Sequence, residues 1–331
     1  MGNTQLAGPA ARDASGDGPS VPEVSVPRIS LGSWAFSFGP FDKAPWSFDR
    51  FSDYAAGHGY DGVEINGFRP HPHDEDYDAT LAREIADRLQ AKGLGISGYA
   101  PDLRSTPPGE VPVGDYLQRI ASVARFCEAA GITTVRVDTI TGPDGPTALD
   151  LGAARSNIVA AWQQSSDVLA SAGIELVWEF EPGFWINRPS QVLALVEEVD
   201  RPNFGILFDS SHAHTIAAYG ARQGANPELL PGGAADYARL LAPYVRHLHL
   251  IDSDGSLHDG DTSEHLPFGT GEIAFAAVLD ALGDSAARLA WWTVDFCFWP
   301  ETARDAAGAV PIVTALRDSF IARQREENEA S

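Results

Sequence analysis

The sequence is short of positive charge. Its 331 residues include 23 lysines and arginines against 46 aspartates and glutamates, a formal net charge of −23. Phosphate backbones and anionic lipids repel so acidic a chain, so neither nucleic acid nor a membrane is expected as a partner. A divalent cation or a neutral polar ligand suits it better. Lysine is scarcer still, at Lys43 and Lys92 only. Lys43 falls in the loop after the first strand-like run and Lys92 at a helix end. Neither reaches the end of a central strand, which disfavours Schiff-base chemistry. Cysteine occurs only at Cys127 and Cys297, in no zinc-type spacing, and two free thiols in a cytoplasmic protein are expected. No apolar run has the length of a signal peptide or a membrane-spanning helix, which points to the cytoplasm. Phosphate signatures are missing too. The first strand-like run leads into SWAFSFGPF without a GxGxxG, and no Walker loop occurs.

What is present is a repeating alternation. Hydrophobic residues make up 44% of the chain and aromatics 10%, enough for a large core. Residues 1–26, rich in Gly, Pro, Ser and Ala, read as a flexible tail. Beyond it come eight short apolar runs, at 28–34, 59–67, 93–100, 133–139, 174–182, 203–212, 245–252 and 288–296. Helical patterns separate them. Ser47 can cap one helix through Gly57 and Asp78 another through Lys92. Further helices are expected near 114–130, 151–172, 189–199, 234–243, 272–283 and 301–326. Four helices exit through a glycine into the next run, as in QAKGLGISG and EAAGITTVRV. Eight strand–helix units without a break predict the α/β class and a single (β/α)8 TIM barrel over residues 27–331, closed by a C-terminal helix. The alternative, a doubly wound open sheet, lacks its nucleotide loop.

In such a barrel the functional groups gather at the C-terminal ends of the strands. Read there, the sequence offers Glu64, then Arg69, His71 and His73 in the loop that follows. Asp138 ends the fourth run, Glu179 and Glu181 the fifth, Asp209 and His212 the sixth, His247, His249 and Asp252 the seventh, and Asp295 the eighth. Any one of these could be an ordinary strand-end hydrogen bonder. Glu179, Asp209, His249 and Asp295 stand on four consecutive strands, and three carboxylates with one imidazole suit Mn²⁺ first, then Mg²⁺, Co²⁺ or Zn²⁺. A divalent cation would also relieve the repulsion among three converging carboxylates. His247 lies one pleat below His249 and reads as structural or as a partner that orients a ligand. His58 and His258 read as surface residues.

The pattern from the fifth to the eighth strand resembles the xylose isomerase-like sugar isomerase/epimerase superfamily, whose members include tagatose 3-epimerase and inosose dehydratase. GYDGVEING is similar to its second strand, WEFEPG to its metal-binding strand five, LFDSSH to its Asp-x-x-His and HLHLID to the strand bearing its metal histidine. HLPFGTGEIAF resembles the loop before its seventh helix. The resemblance covers most of residues 28–320 and implies Glu179, Asp209, His249 and Asp295 as metal ligands. The last departs from the family, which has Glu there. A carboxylate one methylene shorter puts the two-carboxylate chemistry of the epimerases in doubt.

Metal-assisted enolisation of a keto sugar is the expected mechanism. Glu179, His71, His212 and Asp295 are the candidate catalytic residues. Glu181, Arg69, His73, Trp34 and Trp185 are the candidate substrate-binding residues. With only Arg69, Arg136 and Arg188 near the expected mouth, a neutral sugar is favoured over a sugar phosphate. Aromatics crowd the ends of strands one, five and eight, half of them expected in the core and half as walls for a sugar face or an aryl group. EFEPGFW and WWTVDFCFWP are similar to one branch of the superfamily, the large metal-binding subunit of C-glycoside deglycosidases. That resemblance implies C–C cleavage of aryl 3-keto-C-glycosides, a small β subunit as partner and an oligomer. The alternatives are a ketose or inosose isomerase or epimerase, usually a homo-oligomer, and a non-catalytic sugar-binding barrel.

Overall fold

The computed structural model describes residues 26–147 and 149–330. The expected tail at 1–26 lies outside the described residues except for its last residue. Eight strands close into a parallel barrel: β1 (Arg28–Gly32), β2 (Gly62–Gly67), β3 (Gly95–Pro101), β4 (Thr134–Val137), β5 (Glu175–Glu179), β6 (Phe204–Asp209), β7 (Val245–Leu250) and β8 (Trp291–Val294). Each neighbour in sequence is a neighbour in space, and β8 returns to pair with β1. Each strand falls within an expected run, extended by one residue at Pro101. The runs read as near-continuous apolar stretches because both faces of each strand are covered, and every residue of β2 and β6 is buried.

Helices pack around the barrel: α1 (Phe48–Gly57), α2 (Ala79–Ala91), α3 (Val113–Ala130), α4 (Leu151–Ala170), α5 (Pro189–Val199), α6 (Ser210–Tyr219), α7 (Ala234–Leu241) and α8 (Phe275–Leu282). The expected caps are made. Ser47 Oγ accepts from the Arg50 N–H, and Asp78 Oδ1 accepts from the N–H groups of Thr80 and Leu81. The exit glycines Gly59, Gly93, Gly131 and Gly173 all have positive φ, which is why glycine stands there. Lys92 Nζ is bound to Ser52 Oγ and paired with Asp53, so it clips α2 to α1.

Two features differ from expectation. α6 begins at Ser210, inside the run read as strand. Asp209 is both the last residue of β6 and the N-cap of α6, accepting from the His212 N–H, so strand passes to helix with no loop between. The helix expected over 301–326 is broken into a short turn at Thr302–Asp305 and the long C-terminal helix Ala309–Ala330. No helix among the described residues is long and apolar enough to cross a membrane. Cys127 and Cys297 are both free.

Side chains alternate between the helix layer and the barrel interior. The outward rows build the apolar core: Leu31, Val63, Ile65, Trp178, Phe208 and Trp292 are all fully buried there. The interior is different. At its N-terminal end Trp291 lies over Gly62 and Gly95, where an added Cβ would come within 2.5 and 2.8 Å of its ring, and the Arg28 guanidinium stacks 3.8 Å from the same ring. One pleat higher the interior is polar, with Ser30 and Thr293 hydroxyls 2.8 Å apart. The strand register slips between Val63 and Glu64 and between Ile206 and Leu207. Such irregularities re-aim the side chains that follow.

Candidate functional site

Above the Trp291 floor, Glu64 reaches across the barrel from β2 to β7. Its Oε2 lies 2.7 Å from His247 Nε2, 3.1 Å from His249 Nε2 and 3.0 Å from the Thr293 hydroxyl. All four residues are buried. Burial opposes ionisation of Glu64, but the two histidines outweigh it and hold the carboxyl well below its usual range. A carboxylate at Nε2 fixes the proton on that nitrogen and turns the Nδ1 lone pair of His249 toward the barrel mouth.

Nδ1 of His249 points into a cluster. Glu179 Oε1 lies 3.0 Å from it, Asp295 Oδ2 3.5 Å and Asp209 Oδ2 4.0 Å. One ligand-type atom from each of the four residues falls within 4.8 Å of the others, and all four side chains are buried. Glu179 Oε1, Asp209 Oδ2 and His249 Nδ1 are buried atoms without a hydrogen-bond partner. Without a cation, burial opposes the charge on His249, but Glu64, Asp295 and Glu179 outweigh it and hold the imidazole well above its usual range. Once Nδ1 gives up its proton, three acceptors face one point, a costly arrangement that a divalent cation there would satisfy. The donor set fits such an ion. Burial pushes Asp209 above the usual carboxylate range against the pull of His212 and His265. Burial acts the same way on Glu179, but Arg136 and His249 outweigh it and hold that carboxyl low.

Asp295, the shorter carboxylate, is anchored from behind. Its Oδ1 accepts from Trp34 Nε1 at 2.5 Å and from the Cys297 N–H at 2.9 Å, which leaves Oδ2 for the cluster. The Trp34 ring lies 5.2 Å from the His249 ring. It needs Gly32 beneath it, because a Cβ there would come within 2.2 Å of the indole. On the opposite wall Arg136 pairs with Glu179 and Glu181, and Thr262 donates to Glu181 Oε2 at 2.9 Å. Burial, with the nearby Glu179 and Asp138 charges, pushes Glu181 up to about 8 despite Arg136. His212 Nδ1 is 2.6 Å from Ser263 Oγ. Thr262 and Ser263 belong to a small hairpin, Leu257–His258 with Thr262–Ser263, that brings both hydroxyls to the site.

The cluster floors a cavity of about 550 Å³. Its lining includes a charged group, Asp138, Glu179, Glu181 and Asp295 around Arg136. It also includes the apolar side chains of Phe38, Phe68, Leu103, Ile140, Phe184 and Phe298. Phe38 meets Phe68 edge-on at 5.1 Å, and His258 stacks on Phe298 at 4.5 Å.

The sequence pattern of the xylose isomerase-like TIM barrel family matches residues 52–308. The chain belongs to that family. Solved structures agree on the fold at low sequence identity. A D-tagatose 3-epimerase-like protein superposes with a TM-score of 0.66 at 18% identity, over 89% of this chain and 99% of that one. D-allulose 3-epimerase from Methylomonas sp. gives 0.63 at 20% identity, over 88% and 98%. The IOLI protein with a bound zinc atom gives 0.64 at 17%, over 88% and 99%. No curated protein matches the sequence.

Within this xylose isomerase-like barrel the expected residues are placed unequally. Trp34, Glu179, Glu181, His212 and Asp295 line the cavity, with Asp209 and His249 buried in its floor. Four residues expected at the site lie outside the cavity lining. His71 is buried behind the wall, with Nδ1 3.1 Å from Ser33 Oγ and Nε2 3.0 Å from the Trp46 carbonyl, against Phe48 and Phe51. Burial lowers it to about 4, and it is a packing group that does not line the cavity. His73 is likewise buried, accepting from the Glu75 N–H. Arg69 turns outward to a two-pronged pair with Asp76, at 2.6 and 2.7 Å. Trp185 lies beside Gly145 outside the cavity lining, and Phe184 forms the wall instead. His258, expected at the surface, is half-buried on Phe298.

Arg136 and His265 line the cavity as well. The sequence places Arg136 among the mouth charges, and it stands two residues before Asp138, so the two share the interior face. His265 comes from the loop after the hairpin. It is buried and lines the cavity, with Nδ1 3.3 Å from Asp295 Oδ1. Burial opposes its charged form, but Asp295, Asp209 and Glu179 push it up to about 9.

Proposed function

We propose that this barrel is a divalent-metal-dependent enzyme that enolises a keto sugar, as a sugar isomerase or epimerase. One observation carries the reading: buried, unpartnered atoms of Glu179, Asp209 and His249 converge with Asp295 on the floor of a cavity of sugar size. Glu179, Asp209, His249 and Asp295 would hold the cation, which when bound supplies Lewis acidity beside the sugar carbonyl. Mn²⁺ is the first choice for this donor set, with Mg²⁺, Co²⁺ and Zn²⁺ as alternatives. Neighbouring folds that are named as 3-epimerases, and one named with zinc, support the same reading.

The chain's own residues divide the remaining work. Glu64 orients His249, and Trp34 orients Asp295. Glu179 has its second oxygen on Arg136 and Asp295 has its other oxygen on Trp34 and Cys297. Neither is free to exchange protons with a sugar carbon as a paired acid and base would. His212 faces the cavity with Nδ1 held by Ser263, so its Nε2 is the group placed to move a proton next to the carbonyl. Glu181, tied to Arg136 and Thr262, is placed to bind a hydroxyl.

A second reading has its own observation. The six apolar side chains in the cavity lining suit an aryl substituent, which favours C–C cleavage of aryl 3-keto-C-glycosides with a small β subunit. One experiment separates the readings. Metal-loaded full chain is incubated in D₂O with ketoses and inososes and, in parallel, with a 3-keto C-glucosyl flavonoid. Deuterium entering a ketose carbon supports the isomerase reading. Release of the aglycone without exchange in any ketose shifts it to the lyase. Sugar binding without either would leave a non-catalytic barrel and sink both.

A further inference from the structure

Arg136 sits where a metal centre has least need of positive charge. The β4–β5 register sets it opposite Val177, one pleat below Glu179, so its side chain climbs the interior wall toward both glutamates. Its Nε lies 2.7 Å from Glu179 Oε2, and Nη2 lies 3.2 Å from Glu181 Oε1 and 3.4 Å from Asp138 Oδ2. The side chain is 19% exposed and lines the cavity. The two oxygens of Glu179 thus have different surroundings. Oε2 is held by the guanidinium, whereas Oε1 is buried, unpartnered and turned to His249.

We propose that Arg136 is a positioning residue that limits Glu179 to one-oxygen donation and weakens cation binding at the cluster. The inference rests on the metal-centre reading above. A carboxylate that chelates takes two coordination positions and one that donates a single oxygen takes one. Withholding Oε2 therefore leaves room at a cation for substrate oxygens, as catalytic sites require. The guanidinium also keeps its charge at any accessible pH, so it repels a cation held by the neighbouring oxygen. A purely structural arginine would act in the opposite sense: removing it would disorder the carboxylates and loosen the site.

The test is calorimetric titration of the metal-free full chain with Co²⁺ alone, together with the visible spectrum of the Co²⁺ form. Arg136→Gln should bind Co²⁺ at least about tenfold more tightly than wild type, because a like charge a few ångströms away is gone. Its absorption band should also change as Glu179 offers its second oxygen. Arg136→Lys keeps the charge and should stay within about threefold of wild type. Equal or weaker binding by Arg136→Gln overturns the proposal. If that variant does not fold, Arg136→Gln with Glu181→Gln is compared with Glu181→Gln alone. The same tightening is expected there, and its absence is equally decisive. A wild-type chain that binds no Co²⁺ fails the metal-centre reading itself, and this inference with it.

Discussion

The two ends of the barrel interior are built from the same pleat and do opposite things. On β8 the inward column begins at Trp291, passes through Thr293 and ends just past the strand at Asp295. At the floor Trp291 fills the space over Gly62 and Gly95, with the Arg28 guanidinium stacked on its ring. Nothing there calls for a ligand. At the mouth Glu179, Asp209 and His249 keep buried atoms without partners. Trp291 is buried just as the cluster residues are, so burial alone does not mark a site. The difference is satisfaction: the floor closes its contacts with protein atoms, and the mouth leaves its acceptors for something else. Between them Glu64 serves both ends, since it completes the interior packing and sets which nitrogen of His249 faces the mouth.

That contrast can be broken by mutation, starting with the largest effect. His249→Ala should lower divalent-cation affinity by more than about 100-fold, since even the partners of metal ligands are worth 10- to 100-fold. Titration calorimetry reads it, and circular dichroism should show the fold retained. His71 tests whether a histidine beside the mouth can behave as the floor does. Its folded value, about 4, lies below the usual 6.5, so the folded chain holds it neutral. Its contribution to stability is complete above pH 6.5 and is lost as pH falls from there toward 4, by about 3 kcal/mol. Urea unfolding of His71→Asn across that window should show a shallower loss than wild type; an identical slope would refute the assignment. At the floor, Gly62→Val forces a side chain against Trp291 and the Gly95 carbonyl. It should cost about 2 kcal/mol of stability by the usual price of overpacking, with cation affinity unchanged in the folded fraction. The smallest effect belongs to Arg69→Ala. Its pair with Asp76 is exposed, so stability should move by less than about 0.5 kcal/mol and turnover not at all. A marked loss of turnover would return Arg69 to the site.

What could be read from the chain follows strand geometry. Glu179, Asp209, His249 and Asp295 were accessible because each stands at the end of a strand, where the period of two and the barrel rule fix both depth and direction. His71, His73 and Arg69 were misplaced because they follow β2 in a loop, where no period tells whether a side chain turns to the cavity, the core or water. His265 was missed for the same reason from the other side. α6 was hidden because Asp209 does two jobs at once, ending a strand and capping a helix. The aromatics divided as expected in kind but not by residue. Trp178, Phe180 and Trp292 went to the core, while Phe38, Phe184 and Phe298 became wall.

The sequence by itself determined the barrel, its eight strands and the four residues of the cluster, because alternation and strand order are local properties that survive without coordinates. Only the tertiary structure decided what those residues are free to do. That Asp295 is held by Trp34, that Glu64 sets the face of His249, and that Arg136 takes one oxygen of Glu179 are contacts between strands that are remote in sequence. Closure of the sheet brings the first two within hydrogen-bonding distance and the pairing of β4 with β5 the third, and no pattern along the chain encodes which oxygen is left over.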